Sequence, residues 1–376
     1  MKAEILLGRP LSGTLIERIQ HEVARLSCSP SLAVVMVGNR QDSRRYVSVK
    51  QRTAEACGIR FHLLSLPETV SEERLHQELR RISDDNAFDG VLLQLPIPSH
   101  LRVRPALLCI HPGKDVDGLH PINAGSLFLD GNPIYEEAVH RGSSAEKEEA
   151  LASRLLNEGR YFVPCTALAV HALLFSYLAN RTAVVPTPSK KPKNLHAVII
   201  NKSMVVGVPT AALLQKEDNF LVTLCSRSND LEAVKEVSRQ ADVLVTALGI
   251  PRVVTADFVK PGAIVLDVAI NEDCASGGEM TSGSRRVCGD VDLASVREKA
   301  AAVTPVPGGI GPLTVAYLMQ NTLKAHLLAK NHINLFSPLA STQGNAEWNN
   351  EGHTEADFNR MGVDTHDCAG VGKVGW

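Results

Sequence analysis

Leu32-Ala33-Val34-Val35-Met36-Val37-Gly38 is an unbroken apolar run closed by a glycine. Six consecutive apolar side chains, pointing alternately to two faces, need cover on both, which is the condition of a strand inside a parallel sheet. Upstream, Leu15, Ile19 and Val23, with Ile16 beside them, recur at helical spacing. Downstream, further short apolar runs occupy 61–66 and 90–95, the latter after an amphipathic stretch from Ser71 to Ile82. Alternation of this kind predicts βαβ units on a parallel sheet. A second series begins at 197–200 and continues through 220–225, 241–247 and 263–268. Two series imply two α/β domains, and 376 residues exceed what one core usually organises.

Composition narrows the function. With 44% hydrophobic and 21% charged residues the chain reads as globular, and no apolar run is long enough to span a bilayer. Lys plus Arg at 39 against Asp plus Glu at 41 leaves a net charge of -2. That charge gives no footprint for nucleic acid or an anionic membrane, so small-molecule partners are expected. The eight cysteines, at 28, 57, 109, 165, 225, 274, 288 and 368, form no C-x-x-C pair and no metal-ligand spacing with His. A reducing compartment and no metal site are expected. The N-terminal stretch lacks a secretory or transit pattern, which points to the cytoplasm, with the mitochondrion left open.

The stretch 130–159 is polar and holds a short helix pattern, with Ser143 and Glu146 as a capping box and Gly159 as its stop. Residues 181–194, with three prolines and three lysines, read as a surface loop. Beyond Lys330 the chain is rich in Asn, Gly, Thr and acids and is expected to be a mostly disordered tail. No internal repeat is present.

Several places have the residues for chemistry. After the first strand, with Asp42 or Ser43 as a cap, Ser43, Tyr46 and Lys50 fall on one helix face. That face lines a ligand cleft at the carboxyl edge of the sheet, or is simply solvated. Gln94, an amide in an apolar strand that Pro96 ends, either caps the strand end or faces a ligand. The segment 111–120, His-Pro-Gly-Lys-Asp-Val-Asp-Gly-Leu-His, has the composition of a turn. Asn201-Lys202-Ser203 and Gly207 lie between a strand and a helix, where a nucleotide-binding turn sits, although G-x-G-x-x-G is absent. Ser226 and Arg227 end the next strand where an acid would select NAD; with Lys202 they favour a 2′-phosphate, the alternative being a polar surface turn. The segment 304–316, with three Gly and three Pro ahead of a helix reaching about Leu328, brings backbone close to a ligand or another strand.

Taken together these residues resemble the bifunctional methylenetetrahydrofolate dehydrogenase/cyclohydrolase family, over about residues 3–328. The matching motifs are Ser43-x-x-Tyr46-x-x-x-Lys50, Gln94-Leu95-Pro96, Lys114 to Gly118 with Ile122 to Gly125, Pro164-Cys165-Thr166, Lys202-Ser203 with Val206, Gly207 and Pro209, Lys260-Pro261-Gly262, and Pro305 to Thr314. The resemblance implies two α/β domains around a cleft, the second a Rossmann-type NAD(P)-binding domain. It divides the chain into a folate-binding catalytic domain (1–126, with the returning helix 312–328), a polar insert and linker (127–160), the NADP domain (161–311) and the tail (331–376). It further implies a homodimer and two reactions in one cleft: oxidation of 5,10-methylenetetrahydrofolate with NADP, NAD being possible, and hydrolysis of the methenyl product to 10-formyltetrahydrofolate.

The residue roles carried by the resemblance fit elementary chemistry. Asp117 accepts the paired N–H donors of the pterin, Tyr46 stacks on the folate rings, and Lys50, held by Gln94, transfers protons in the hydrolysis. Tyr46, Val47, Ser48, Val49, Lys50, Leu93, Gln94, Leu95, Asp117, Pro307, Gly308, Gly309, Ile310 and Gly311 would surround the folate. Asn201, Lys202, Ser203, Ser226, Arg227, Ile270 and Thr166 would surround the cofactor. The family commonly has Gly where Asn201 stands, Pro where Ala167 stands and Gly where Ala269 stands, all three near the dinucleotide. Asn tolerates the left-handed conformation that a glycine there would allow. The competing readings are a dehydrogenase without hydrolase activity and a binding protein without catalysis.

Overall fold

Every side chain of the apolar run 32–37 is buried in the computed structural model, because Ser31–Val37 is the central strand of a three-stranded sheet. The structure describes residues 2–129, 161–182, 194–217, 219–272 and 287–331. Their strands, in chain order, are β1 (Glu4–Ile5), β2 (Ser31–Val37), β3 (Arg60–Leu66), β4 (Gly90–Leu93), β5 (Leu195–Ile200), β6 (Phe220–Cys225), β7 (Val243–Thr246), β8 (Ile264–Asp267), β9 (Asn271–Glu272), β10 (Val287–Cys288) and β11 (Ala302–Val303). The small sheet runs β3-β2-β4 and is parallel throughout. The large one runs β1-β11-β8-β7-β5-β6, again all parallel. A β9-β10 antiparallel pair stands apart.

Three helices are shared between the sheets: Arg9–Ala24 and Cys165–Thr182 each pack on Ile310–Lys330. Their apolar side chains join one face of each sheet into a single core containing Leu32, Val34, Leu174, Ile199, Val245 and Leu323. A separate cluster covers the other face of the small sheet under the helix Glu72–Asp84, and another covers the other face of the large sheet. The inner strands β2, β4, β5, β7 and β8 are therefore covered on both faces, which is why they read as continuous apolar runs, whereas the edge strands β3 and β6 are partly exposed. The helix Ile310–Lys330 is buried at every position from Ala316 to Leu328, with Leu318, Met319, Leu323 and Leu327 contributing about 1.5–3 kcal/mol each by leaving water.

The α/β class and the parallel sheets are as the sequence predicts. Several boundaries differ, each for a local reason. The first helix begins at Arg9, with Pro10 in its first turn, rather than near Leu15. Neither Asp42 nor Ser43 caps the helix Gln41–Ala56. Arg40 occupies the cap position without a side-chain cap bond, and Asp42 is drawn into an ion pair with Arg40 at 2.8 Å. The third apolar run, β4, stops as a strand at Leu93: Gln94 N still donates to Val35 O at 2.8 Å, but Pro96 has no N–H with which to continue. Arg181 ends a helix instead of starting a loop, its guanidinium donating to Tyr177 Oη at 2.6 Å. The two-residue strands β1 and β11 carry too little pattern to read, and β1 places Glu4 and Ile5 in the large sheet rather than with the first α/β series. Asn201 does not use left-handed backbone; among the described non-glycine residues only Arg252 has positive φ. The capping box at 143–146, residues 183–193 of the proline-rich loop and the tail beyond 331 lie outside the described residues.

Candidate active site

The helix Gln41–Ala56 starts at the carboxyl edge of the small sheet and turns Ser43, Tyr46, Val47 and Lys50 to one side. Lys50 Nζ donates to Gln94 Oε1 at 2.9 Å, and Gln94 Nε2 donates to the carbonyl of Leu95 at 2.7 Å. Gln94 thus closes the strand end, the first of the alternatives its sequence position leaves open, and spends its amide on Lys50 and Leu95. Its main chain closes the strand ladder, and its buried amide orients the lysine.

The segment after Ile110 forms the opposite wall. Its two aspartates divide the work. Asp115 is buried and accepts from His120 N at 2.6 Å and Asn123 Nδ2 at 2.9 Å, so it holds the loop together. Burial pushes its carboxyl up to about 6, against the pull of those bonds. Asp117 faces Lys50 and the Cys165 thiol. Desolvation raises its carboxyl above the usual carboxylate range, while Lys50 and a hydrogen bond from Cys165 pull it back. Desolvation likewise lowers the Lys50 ammonium below the usual lysine value, opposed by attraction to Asp117 and Cys165. Burial also raises the Cys165 thiol well above its ordinary value. A lysine that loses its proton more easily, beside an acid that can carry charge, is an arrangement suited to proton transfer. Tyr46 stands on the same helix face, its phenol pushed up to about 12 chiefly by burial.

Asn321, in the long helix, ties the walls together. Its Nδ2 donates to Val116 O at 2.9 Å and Val163 O at 3.3 Å and lies 3.5 Å from Cys165 Sγ. Gly118 has φ +72°, and a Cβ there would sit 2.6 Å from Val163 C and Pro164 N, so the Asp117 loop closes on the 162–164 segment only with glycine.

The proline- and glycine-rich segment enters the same helix at Ile310. Part of its glycine content is used internally: Gly309 lies against Thr304 and Pro305, and a Cβ on Gly8 would meet Gly309 O at 2.0 Å. Gly8 N donates to Gly308 O at 3.0 Å, while Gly311 has open space beside it. Of the residues expected near a folate, Val47, Leu93 and Ile310 bury their side chains in the core. Ser48 and Val49 lie on the helix surface away from Lys50, in a groove with Arg44, Arg45 and Arg52.

On the large sheet the strand order reverses at β5, whose neighbours are β6 on one side and β7 on the other. Ligands of open α/β sheets bind at such reversals, beyond the carboxyl ends of the strands. Asn201 follows β5 and builds the turn with its own side chain. Its Oδ1 accepts from Ser203 N at 2.8 Å, Ser203 Oγ at 2.7 Å and Gly207 N at 3.0 Å, and its Nδ2 donates to Ala247 O at 2.6 Å. Gly207 opens the next helix so close to Asn201 O that a Cβ would lie 1.7 Å away. Lys202 and Arg227 are exposed at the ends of β5 and β6. Ser226 is buried in a turn closed by Asn229 Oδ1, with Ser228 Oγ 2.9 Å from its hydroxyl. Ile270 is exposed between β8 and β9, and Thr166 lies in the first turn of its helix beside Cys165. Ala167 is packed in the core, and Ala269 N donates to Asp267 Oδ1 at 3.2 Å. A dinucleotide fits this edge: a turn held open by one side chain, a helix start without a Cβ, and two cations beside it.

Cys165 and Asn321 are the parts of the cleft to which sequence reasoning assigned no role. A signal for Asn321 exists, since Gln320, Asn321, Lys324 and His326 interrupt an otherwise apolar helix and all four are buried. Among the described residues no group of three His, Cys, Asp or Glu could hold a metal ion, and no helix is long and apolar enough to cross a membrane.

Comparison with known proteins gives the same two halves. Residues 6–117 match the family model of the tetrahydrofolate dehydrogenase/cyclohydrolase catalytic domain, and residues 164–330 match that of the family's NAD(P)-binding domain. The bifunctional protein FolD of Listeria innocua is 36% identical over 325 residues, 86% of this chain and 96% of that protein. FolD 1 of Myxococcus xanthus is 38% identical over 329 residues, 85% of this chain and 98% of the relative. The crystal structure of the Campylobacter jejuni FolD dehydrogenase/cyclohydrolase superposes with a TM-score of 0.68 at 32% identity, covering 88% of this chain and all of that one. The Trypanosoma brucei enzyme, solved with NADP and an inhibitor, gives 0.70 at 30% identity, covering 89% of this chain and 100% of the other.

Proposed function

The chain belongs to the tetrahydrofolate dehydrogenase/cyclohydrolase family, and on that premise we propose how its residues divide the work. The protein oxidises 5,10-methylenetetrahydrofolate with NADP and hydrolyses the 5,10-methenyl product to 10-formyltetrahydrofolate. The single observation that carries the assignment of roles is the Lys50–Gln94 hydrogen bond opposite Asp117.

When bound, NADP supplies the hydride acceptor. For that step the chain contributes alignment. Tyr46 stacks on the folate rings, Asp117 accepts the neighbouring pterin N–H donors with its two oxygens, and Pro307 to Gly311 border the folate with backbone. On the cofactor side, Asn201, Ser203 and Gly207 form the phosphate-facing turn, Ser226, Arg227 and Lys202 take the 2′-phosphate, and Thr166 and Ile270 flank the site.

For hydrolysis, Lys50 acts in its neutral form. Burial already lowers its proton affinity, and the cationic methenyl group lowers it further. Its Nζ takes a proton from water as the water oxygen bonds to the amidinium carbon. The protonated lysine returns that proton to N5 as the carbon–N5 bond breaks, and the hydroxyl on the carbon gives its own proton to solvent, leaving the neutral formyl group on N10. Gln94 accepts from Lys50 through Oε1, so it orients the amine without adding a charge that would hold the proton. Burial raises the proton affinity of the Asp117 carboxyl, and Lys50 and Cys165 act against that rise.

We assign residues 1–126, apart from β1 in the large sheet, with helix 312–328, to the folate half and 161–311 to the NADP half. A homodimer is supported by β6, an edge strand of the large sheet that exposes Leu221 (57%) and Leu224 (41%). The free thiols of the six cysteines among the described residues support a reducing compartment, the cytoplasm. The test of the roles is Lys50→Met, assayed for both reactions. Loss of hydrolysis with dehydrogenation still detectable is expected. Hydrolysis at the wild-type rate would overturn the lysine's role.

A further inference from the structure

Three side chains from separate segments meet at the amino edge of the small sheet. Cys28 lies exposed in the connection between the helix Arg9–Ala24 and β2, Asp89 stands just before β4, and His326 comes from the buried last turns of the helix Ile310–Lys330. Cys28 Sγ is 3.8 Å from His326 Nε2, and His326 Nδ1 is 3.1 Å from Asp89 Oδ2. Thiol, imidazole and carboxylate in this order make a nucleophile, its base and the group that steadies the base. The folate cleft is at the other edge of the sheet. Gln94 follows Leu93, which pairs with Val35, so it lies five extended residues, about 17 Å, beyond the level of Ser31.

Each member is held in place. Asp89 Oδ2 accepts from Ser31 N at 2.8 Å, which fixes the carboxylate to the start of β2. Its charge also acts on Lys114, whose ammonium is occupied by Asp85 O at 2.8 Å. The His326 side chain is 4% exposed, and its Nδ1 makes no hydrogen bond of regular geometry despite the nearby carboxylate. An imidazole buried beside a carboxylate in this way gains most from the contact when it carries a second proton. Packing alone would be served by leucine, as at the neighbouring Leu327 and Leu328. The thiols of Cys57, Cys109, Cys165, Cys225 and Cys288 are buried, so Cys28 alone among the described cysteines joins access from solvent to a base.

We propose that Cys28, His326 and Asp89 form a reactive thiol site that exchanges with small disulfides and leaves a reversible mixed disulfide on the protein surface. Nε2 takes the thiol proton as Sγ attacks one sulfur of the disulfide in line. The S–S bond of the small disulfide breaks as the new one to Cys28 forms, and the imidazolium, steadied by Asp89, gives its proton to the departing thiolate. One thiol and one disulfide enter and one disulfide and one thiol leave, so no further oxidant is consumed. Acyl transfer would need donors for an oxyanion as well. Exchange needs only an exposed sulfur that can be approached in line and a proton for the leaving group.

The test uses the full chain with Cys274→Ser and Cys368→Ser, which removes the two cysteines outside the described residues. It is treated with glutathione disulfide at neutral pH, and adducts are located by peptide mass spectrometry. Cys28 should form the mixed disulfide about tenfold faster than the same thiol in a synthetic peptide of residues 24–32, and a thiol reductant should reverse it. His326→Gln should remove most of that gain, and Asp89→Asn, which keeps an oxygen for Ser31 N, should remove part of it. An aromatic disulfide, whose leaving thiolate needs no proton, should lose less than glutathione disulfide in both variants, a difference that altered packing or access would not produce. If His326→Gln does not fold, Asp89→Asn and the comparison with the peptide decide. A Cys28 no faster than the peptide, or equal losses with the two disulfides, overturns the site. So does oxidation of Cys28 to a sulfenic acid by peroxide at a rate well above its exchange, which would make a peroxide the substrate of this thiol.

Discussion

Replacing Gln94 by Glu changes one atom type at the partner of Lys50, and the structure sets the size of the effect. The carboxylate oxygen would stand where Oε1 now lies, 2.9 Å from Nζ. At an effective dielectric of 20, unit charges at that distance attract by about 6 kcal/mol, most of which is offset by desolvating the new charge. Close opposite charges in proteins shift a pKa by about 1–3 units. We take about two, upward, opposing the desolvation that now lowers Lys50. Near neutral pH the fraction of neutral lysine then falls about 100-fold, and hydrolysis falls with it. The assay is decay of the methenyl chromophore across pH, with dehydrogenation measured on the same preparation. The alkaline-going limb of the hydrolysis profile should move upward by about two units while dehydrogenation falls far less. A Gln94→Glu enzyme that hydrolyses with the wild-type pH profile would refute the use of Lys50 as the base.

Arg227→Ala should reduce the preference for NADP over NAD by about 10-fold or more, the worth of one charge-assisted phosphate contact; an unchanged ratio of kcat/KM values would remove Arg227 from the 2′-phosphate site. Asn321→Ala leaves the buried carbonyls of Val116 and Val163 without this donor. It should cost about 2–4 kcal/mol in denaturant unfolding and raise KM for the folate more than KM for NADP, because the Asp117 loop is what it holds. Equal changes in the two KM values would make it a stability residue only. Asp267 is pushed up to about 7 by burial, so the folded state binds its proton more tightly than the unfolded chain. That contribution is complete below the ordinary carboxylate value and is lost as pH rises from about 4 to about 7. Thermal midpoints should therefore fall over that range, and Asp267→Asn, which keeps one oxygen for the Asp290 and Ala269 N–H groups, should flatten the slope. An unaltered slope would place the titration elsewhere.

What could be read from the residues, and what could not, follows from the range of the interactions. The run 32–37 declares itself because a doubly covered strand must be apolar at every position, and β5, β7 and β8 behave alike. The two-residue strands β1 and β11 have no period to detect, so the return of the N-terminus to the large sheet is a tertiary fact. In the cleft, Tyr46 and Lys50 share a face by helix geometry alone, and Gln94 stands out as an amide in an apolar strand. The meeting of Lys50 with Gln94 and Asp117 spans three separate segments, and only the resemblance to a family joined them in advance. Local reasoning treated 111–120 as a turn. It is one, but Asp115 turns inward to hold the loop while Asp117 faces the lysine, a division invisible in the string Asp-Val-Asp. At Asn201 the residue type points to backbone tolerance, whereas its side chain builds the turn after β5 through four hydrogen bonds.

The most direct test is absorbance-monitored oxidation of 5,10-methylenetetrahydrofolate by the purified protein, with NADP and NAD in parallel, followed by addition of authentic methenyltetrahydrofolate. Faster turnover with NADP, and decay of the methenyl chromophore above the uncatalysed rate, are the predicted results for a cleft in which Tyr46 and Asp117 hold the folate for both steps and Lys50, oriented by Gln94, serves the hydrolysis. A folded protein that turns over neither substrate would contradict it and make Asn201, Ala167 and Ala269 the first positions to revert.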